Sequence, residues 1–321
     1  MRFTALYPLH SHDYDPDILD PATVAAFART AEGAGFDAVG LTEHPAPSQR
    51  WLDVGGHDAL DVFTMLGFCA AVTSKVALMP YVLVLPFRNP VMAAKQVATL
   101  DVLSGGRVVL PVGTGYLRSE AVALGSDFAE RNELFDEAVD AMRAVWAGED
   151  VTVHGRHFDA VGVTARPRPL QRPHPPLWIG GNSKMARERV ARVGEGWSPI
   201  LHDERMARTT RTAPLPTLEA LARAVRDLRR RVEEAGRDPD SITVQLQGGG
   251  GRLSKEDQPV AEFGEWLDEV AAAGVDQLIV EVPAKAGPAL DALVRFGEEI
   301  IAARGGPTDR AVRGSHARGG S

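Results

Sequence analysis

Short apolar runs alternate along the chain with stretches whose apolar residues recur at helical spacing. The runs are Phe3–Leu9, Ala38–Thr42, Val76–Leu85, Arg107–Val112, Pro176–Ile179, the short Trp197–Ile200, Ile242–Leu246 and Gln277–Val282. Near-continuous apolar runs of this kind read as strands buried on both faces, the mark of a parallel sheet. Between them, helical patterns cover Pro21–Ala34, stopped by Gly35, then Asp58–Thr73 and Pro90–Leu103. Pro90 suits a first helical turn, where its missing N–H is not needed. A longer helix carries Leu134, Phe135, Ala138, Val139, Met142, Val145 and Trp146 on a period of about 3.6 residues. Ser183–Val193, Thr217–Glu234, Val260–Ala273 and Pro288–Ala303 supply the remaining helices. Eight strands with eight helices predict an α/β fold, a closed (β/α)8 barrel.

Three segments fall outside that rhythm. Glu149–Pro175 contains HGRHF and RPRPLQRPHPP, too rich in proline for a helix, and is expected to pack over the barrel as an insertion. His202–Pro216 mixes Arg205, Arg208 and Arg211 with Thr209, Thr210 and Thr212 and reads as a mobile loop. The tail from Gly305 to Ser321 has little to bury and is expected to be disordered. The chain is therefore read as one barrel domain over residues 1–304, with insertions near 149–175 and 202–216, followed by the tail 305–321.

Composition narrows the function classes. A 44% hydrophobic fraction over 321 residues is enough for one large core. Lys and Arg number 35 against 43 Asp and Glu, a net charge of −8, which disfavours nucleic-acid binding because phosphate needs a basic face. The single cysteine, Cys69, lies in an apolar run, excludes an internal disulfide or cysteine-based zinc site, and reads as a small buried hydrophobe. No metal is expected. The start MRFTALYPLH lacks the charged and apolar regions of a signal peptide, and no apolar run reaches about 18 residues, so a cytoplasmic, membrane-free protein is expected.

Chemistry concentrates at strand ends. In LPVGTGYLRSEAVAL, Leu110–Leu124, a strand runs into Gly113-Thr114-Gly115 and then the polar turn Tyr116-Leu117-Arg118-Ser119-Glu120. Glycines there let backbone approach a ligand closely. Leu41-Thr42-Glu43-His44-Pro45 puts an imidazole beside a carboxylate at a strand terminus, a pair able to relay protons near neutral pH. A structural ion pair, or His44 bonded to backbone, would produce the same residues. Gly180-Gly181-Asn182-Ser183 leads from a strand into a helix, where free N–H groups and the helix dipole favour an anion. A tight turn capped by Ser183 would need no ligand. His10 and His12 follow the first strand and could face the same pocket.

Asp101-Val102-Leu103-Ser104-Gly105-Gly106-Arg107, then a strand and GTGY, resembles the bacterial luciferase-like flavin and deazaflavin oxidoreductases, a family built on a TIM barrel. The resemblance spans about residues 1–300. It implies that Glu43 and His44 match the family's acidic–histidine pair, with the histidine near the reactive ring carbon in deazaflavin-dependent members. It implies a cofactor phosphate at Gly180, Gly181, Asn182 and Ser183. It also implies a non-prolyl cis peptide at Tyr81–Val82, forming a bulge behind the ring, with Thr114 and Ser119 on the Gly-x-Gly turn. One departure stands out: related deazaflavin sugar dehydrogenases carry a glutamate right after Gly-Thr-Gly, and here that position is Tyr116. A phenol with a reference pKa near ~10 is a poor general acid at neutral pH, so sugar oxidation is not carried over.

The segments GTGYLRSEAVALGSDFAERNELFDEAVDAMRAVW, RPRPLQRPHPPLWIGG and GEGWSPI look most like the subgroup assigned to the deazaflavin coenzyme F420, with FMN as the alternative. The resemblance thus implies an oxidoreductase moving hydride between F420 and a small organic substrate. The alternatives are an FMN-dependent monooxygenase fed by a separate reductase, and a non-catalytic flavin-binding barrel. A homodimer and a separate flavin or F420 reductase are the expected partners. Arg118, Lys184, Arg187, Arg205, Arg208 and Arg211 follow successive strands and are expected on the rim, where an acidic cofactor tail would meet them.

Overall fold

The computed structural model describes residues 1–9, 13–247 and 260–305. His10, His12 and the tail segment 306–321 lie outside the described residues. The strands, in chain order, are β1 (Arg2–Leu6), β2 (Ala38–Leu41), β3 (Ala77–Pro80), β4 (Leu83–Val84), β5 (Leu110–Gly113), β6 (Val151–Gly155), β7 (Phe158–Val163), β8 (Leu177–Gly180), β9 (Gly196–Ser198), β10 (Thr243–Leu246) and β11 (Gln277–Glu281). The helices are α1 (Pro21–Gly33), α2 (Gln49–Leu52), α3 (Val62–Val72), α4 (Pro90–Ser104), α5 (Arg118–Ala123), α6 (Arg131–Ala147), α7 (Lys184–Val193), α8 (Glu204–Thr209), α9 (Leu218–Glu234), α10 (Val260–Ala272) and α11 (Ala286–Phe296). None of the described helices is long and apolar enough to cross a membrane.

Among the described residues, nine strands form one parallel sheet in the order β3-β2-β1-β11-β10-β9-β8-β5-β4. The ring closes where the Leu78 N–H donates to the Arg107 carbonyl (2.9 Å) and the Val109 N–H to the Leu78 carbonyl (3.2 Å). This is a TIM-type α/β barrel. The expected strand Val76–Leu85 is split: the peptide Tyr81–Val82 is cis, β3 pairs with β2, and β4 pairs with β5 through Leu83–Val112 and Val84–Gly113.

Inside the barrel, alternating residues of each strand meet. Ala38, Ala77, Met79, Val109 and Trp178 pack together, and Leu6, Tyr81 and Ile279 form a second cluster. Buried side-chain amides between them pair with hydroxyls: Gln245 Nε2 and Gln277 Nε2 both donate to Thr4 Oγ1 (3.1 and 2.6 Å), and Ser198 Oγ donates to Gln245 Oε1 (3.0 Å). A buried polar layer of this kind is tolerated because each of these groups finds a partner.

The DVLSGGR stretch serves the amino-terminal side of the barrel. The fully buried Asp101 accepts from the Leu170 and Gln171 N–H groups (2.7 and 3.0 Å), and Gln171 Nε2 donates to the Val108 carbonyl (2.7 Å) just ahead of β5. Gly105 takes the left-handed conformation (φ 73°) that ends α4, and Arg107 donates to the carbonyls of Ala70, Thr73 and Val76.

Two segments carry more regular structure than the sequence pattern suggests. Residues 149–175 include the antiparallel hairpin β6–β7, whose proline-rich continuation is tied to α4 by Asp101, so the insertion lies against helices and the strand starts. Residues 202–216 are not a free loop. They contain α8, capped by Asp203, and are pinned by reciprocal backbone bonds between His202 and Leu215 (both 3.0 Å).

Candidate active site

The carboxyl ends of β2 and β5 bring three side chains into a chain of hydrogen bonds. His44 Nδ1 lies 3.1 Å from Glu120 Oε2, and the Tyr116 hydroxyl lies 3.1 Å from His44 Nε2. Glu120 Oε1 also accepts from the Ala46 N–H (3.1 Å). His44 is 7% exposed and Glu120 1%. A carboxylate only accepts, so the His44 proton sits on Nδ1, leaving the Nε2 lone pair to accept from Tyr116. Burial first, and the charge of Glu120 second, push the Tyr116 phenol far above its usual range, which keeps it a hydrogen-bond donor.

Glu120 arrives because α5 begins at Arg118, one turn beyond the Gly-x-Gly bend, and folds its first turn back over β2. Gly115 (φ +75°) makes that bend, and a Cβ there would stand 2.8 Å from Val84 Cγ1. Thr114 is half-buried on the same bend, while Ser119 is exposed on α5. Around the triad stand rings from the β2–α3 connection. The Trp51 centroid is 6.1 Å from that of His44 and 5.8 Å from that of Tyr116, and the His57 ring meets His44 edge-on at 4.7 Å.

Glu43 does not pair with His44. Its Oε2 accepts from the Val84 N–H (2.6 Å) and from Arg88 Nη1 (3.1 Å), and its Oε1 is engaged by Arg88 Nη2. Both residues lie past β2, which ends at Leu41, and each is claimed by a different element. His44 turns toward α5 and Glu43 toward β4. The carboxylate that meets the imidazole is Glu120, which was not singled out from sequence, nor were Arg88, Trp51 and His57. The available signal for Glu120 was its place one helical turn after the tyrosine that follows Gly-Thr-Gly.

Beside this chain, Val82 projects from the bulge into the mouth of the barrel. A Cβ on Gly113 would lie 2.8 Å from Val82 Cγ2, and one on Gly180 would lie 3.1 Å from Val82 Cγ1. Glycine at both positions lets Val82 seat between β5 and β8. Behind it, Tyr81 is buried against Leu6 and Ile279, and among the described residues its hydroxyl meets no geometric hydrogen-bond partner.

The turn after β8 is more heavily engaged than an open anion site. The Gly181 N–H donates to the Ser198 carbonyl (3.2 Å) and the Asn182 N–H to Thr212 Oγ1 (2.9 Å). Asn182 Nδ2 donates to the carbonyls of Ile200 and Ala213, and its Oδ1 accepts from the Ile200 N–H. Gly181 (φ +100°) and Asn182 thus shape the turn. Ser183 caps α7 by accepting from the Ala186 N–H (3.1 Å), and among the described residues no bond uses the N–H groups of Ser183, Lys184 or Met185. Those N–H groups are where an anion would sit. Of the rim cations, Arg187 is held by Asp227 (2.8 Å) and Lys184 by Glu188 (3.4 Å), while Arg211 stacks on Phe128 (5.0 Å). Among the described residues no cluster of His, Cys, Asp or Glu stands ready to hold a metal ion.

The profile of the family described as luciferase-like monooxygenase matches residues 1–249. The chain belongs to this family. Among its relatives, the F420-dependent glucose-6-phosphate dehydrogenase of Microbacterium testaceum is 35% identical over 211 residues, 62% of this chain and 59% of the relative. The FMNH2-dependent dimethylsulfone monooxygenase of Pseudomonas putida is 34% identical over 128 residues, 39% of this chain and 35% of the relative. The alignments span less than two thirds of the length of these curated relatives. The crystal structure of a monooxygenase from Streptomyces bottropensis superposes with a TM-score of 0.74 at 22% identity, covering 95% of this chain and 100% of that one, and shows the shared fold.

The residues at these strand ends would suit a planar ring with a phosphate. The Val82 floor exists because glycines at 113 and 180 leave room for it, and the first N–H groups of α7 stand apart from internal bonding. Tyr81, Val82, Gly113 and Gly180 would hold the ring, and Ser183 with the start of α7 the phosphate.

Proposed function

We propose that this protein is an oxidoreductase that uses the deazaflavin F420 to move hydride to or from a small organic substrate. The observation that carries the proposal is the Glu120–His44–Tyr116 chain, with both links at 3.1 Å, at the carboxyl ends of β2 and β5. On this fold, strand carboxyl ends build the active site. The F420-dependent relative, matched over more of this chain than the FMN-dependent one, supports the choice of cofactor.

The bound ring supplies the hydride donor or acceptor; the protein positions it and handles the proton. Because the Tyr116 hydroxyl covers His44 Nε2, the group offered to a substrate is the phenol oxygen. In the oxidative direction the substrate hydroxyl gives its proton to the Tyr116 oxygen as the Tyr116 proton passes to His44 Nε2. The Nδ1 proton stays hydrogen-bonded to Glu120, whose charge stabilises the imidazolium. No phenolate forms along this route, so the high pKa of Tyr116 is no obstacle.

A second reading, an FMN-dependent monooxygenase supplied by a separate reductase, is favoured by the Pseudomonas putida relative. Titrating the purified protein with F420 and with FMN, followed by fluorescence, separates the two. Tighter F420 binding supports the hydride-transfer reading, tighter FMN binding promotes the monooxygenase, and binding of neither rejects both. We also infer a cytoplasmic homodimer. The lone cysteine is buried and asks for no oxidising compartment. α3 carries no charged residue, and Phe68, Met92 and Leu103 are exposed on it and on neighbouring α4, a face suited to a second copy.

A further inference from the structure

We propose that the Glu43–Arg88 ion pair is a positioning device for the cofactor floor, acting through Val84 on Val82 and taking no part in proton transfer. The proposal rests on the cofactor reading above. Both partners are largely buried, with side chains 4% and 17% exposed for Glu43 and Arg88. Glu43 Oε2 holds the Val84 N–H at 2.6 Å, while Arg88 Nη1 reaches both Glu43 Oε2 (3.1 Å) and the Val84 carbonyl (3.3 Å). Val84 is thereby gripped at its N–H and its carbonyl by two charged side chains, and Arg88 in turn lies over the Phe63 ring of α3 (5.7 Å).

Val82 is two residues upstream of that grip. On one side Tyr81 is sunk among Leu6 and Ile279; on the other Leu83 and Val84 are in register with Val112 and Gly113. The methyl groups of Val82 rest where Gly113 and Gly180 lack side chains, so a shift of a few tenths of an ångström at Val84 moves the floor against two strands. Close packing transmits such shifts because the interior leaves little slack. The same carboxylate keeps the ladder at β4 aligned with β5, the strand that delivers Tyr116 and Glu120. The residue pair at the end of β2 therefore divides its work. His44 faces the proton chain, and Glu43 sets the height of the surface beneath the ring.

Neutralising Glu43 by Glu43→Gln removes one charge from a buried pair and leaves Arg88 without its counter-ion, which loosens the grip on Val84. The test measures F420 and FMN dissociation constants by fluorescence, the absorption spectrum of bound cofactor, and melting temperature. The variants are Glu43→Gln, Arg88→Lys and Arg189→Met. Arg189 is a control: its buried guanidinium pairs with the more exposed Asp136 (2.8 Å) between α6 and α7, away from the floor. Glu43→Gln is expected to weaken cofactor binding about tenfold or more and to shift the bound spectrum, the scale of loss that small misplacements produce. Arg88→Lys, which keeps the charge but not the fork, should fall between it and wild type, and it carries the test if Glu43→Gln does not fold. Arg189→Met should leave binding within about twofold despite a lower melting temperature. Wild-type binding with an unmoved constant in Glu43→Gln and Arg88→Lys overturns the proposal alone. A wild-type protein that binds neither cofactor overturns the cofactor reading and the proposal with it.

Discussion

Replacing Glu120 by Gln changes one atom in the buried chain and should invert the tautomer of His44. The Ala46 N–H is a fixed donor held 3.1 Å from Glu120 Oε1, so the amide oxygen of a glutamine stays there and its NH2 turns to His44 Nδ1. A donor facing Nδ1 forces that nitrogen to accept, and the ring proton moves to Nε2, where it must donate to Tyr116. The lone pair that receives the proton from Tyr116 is then gone. A hydrogen bond to a charged group contributes about 1.5–3 kcal/mol net. At roughly 1.4 kcal/mol per factor of ten, turnover should fall roughly 10- to 150-fold. The same loss spread over a chain of this size, with an unfolding entropy of about 2.1 cal/mol/K per residue, lowers the melting temperature by roughly 2–5 °C. Long-range proton–nitrogen correlation spectra of the histidine side chains read the tautomer without any substrate, and stopped-flow loss of the F420 absorbance reads turnover. An Nδ1-protonated His44 in the variant, or turnover equal to wild type, would refute the assignment of Glu120 as the group that orients the imidazole.

Gly113→Ala should weaken cofactor binding, because the new methyl would sit 2.8 Å from Val82 Cγ2 and push the floor; a titration with an unchanged constant removes Val82 from the site. Tail-bearing F420 should lose affinity with rising salt more steeply than FMN, since Arg118, Arg205, Arg208 and Arg211 are the rim cations not held by a carboxylate among the described contacts; equal slopes across a salt series count against a tail contact. Glu32 is the acid-sensitive group to test. Its burial alone would raise its pKa, but bonds from the Lys75, Val76 and Ser74 N–H groups, with the Ser74 hydroxyl, outweigh this and hold it below the ordinary 4.5. A depressed folded pKa contributes stability above the unfolded value and loses it as pH falls. Denaturation midpoints of Glu32→Gln and wild type should therefore differ most near neutrality and converge below the ordinary carboxylate range.

The barrel was legible because its strands are buried on both faces. Runs such as Val108-Val109-Leu110 and Leu177-Trp178-Ile179 have no polar alternation to confuse, and helix starts carry their own punctuation, as at Asn89-Pro90, where Asn89 accepts from the Val91 and Met92 N–H groups. The β6–β7 hairpin was not. Val151–Val163 alternates half-buried and exposed positions, but the prolines that follow it dominate the composition of the segment. The fold of residues 202–216 depends on one pairing of His202 with Leu215, and on Thr212 accepting from Asn182, contacts between positions that no local pattern links. α5 escaped for a different reason. Its six residues are too few for a periodic signal, yet it delivers the most deeply buried carboxylate of the site.

The pair Glu43-His44 shows where a motif stops carrying information. Both residues are at the strand end where this fold does chemistry, and both are buried at 7% exposure, so location alone does not separate them. Direction separates them: past the end of β2 at Leu41, Glu43 turns to Val84 and Arg88 while His44 turns to Glu120 and Tyr116. A carboxylate next to a histidine in sequence can therefore serve another element, and the imidazole's partner here comes from the segment after β5, at a long sequence separation. Here that partner is 76 positions away, on α5, and the adjacent carboxylate is free to serve a different element. The consequence is chemical. If one acid had to hold both the imidazole and the floor, any change in the proton relay would disturb cofactor seating. With Glu120 held to the imidazole and Glu43 to Val84 and Arg88, binding and proton transfer can vary separately, which is the independence that the Glu43 and Glu120 variants measure.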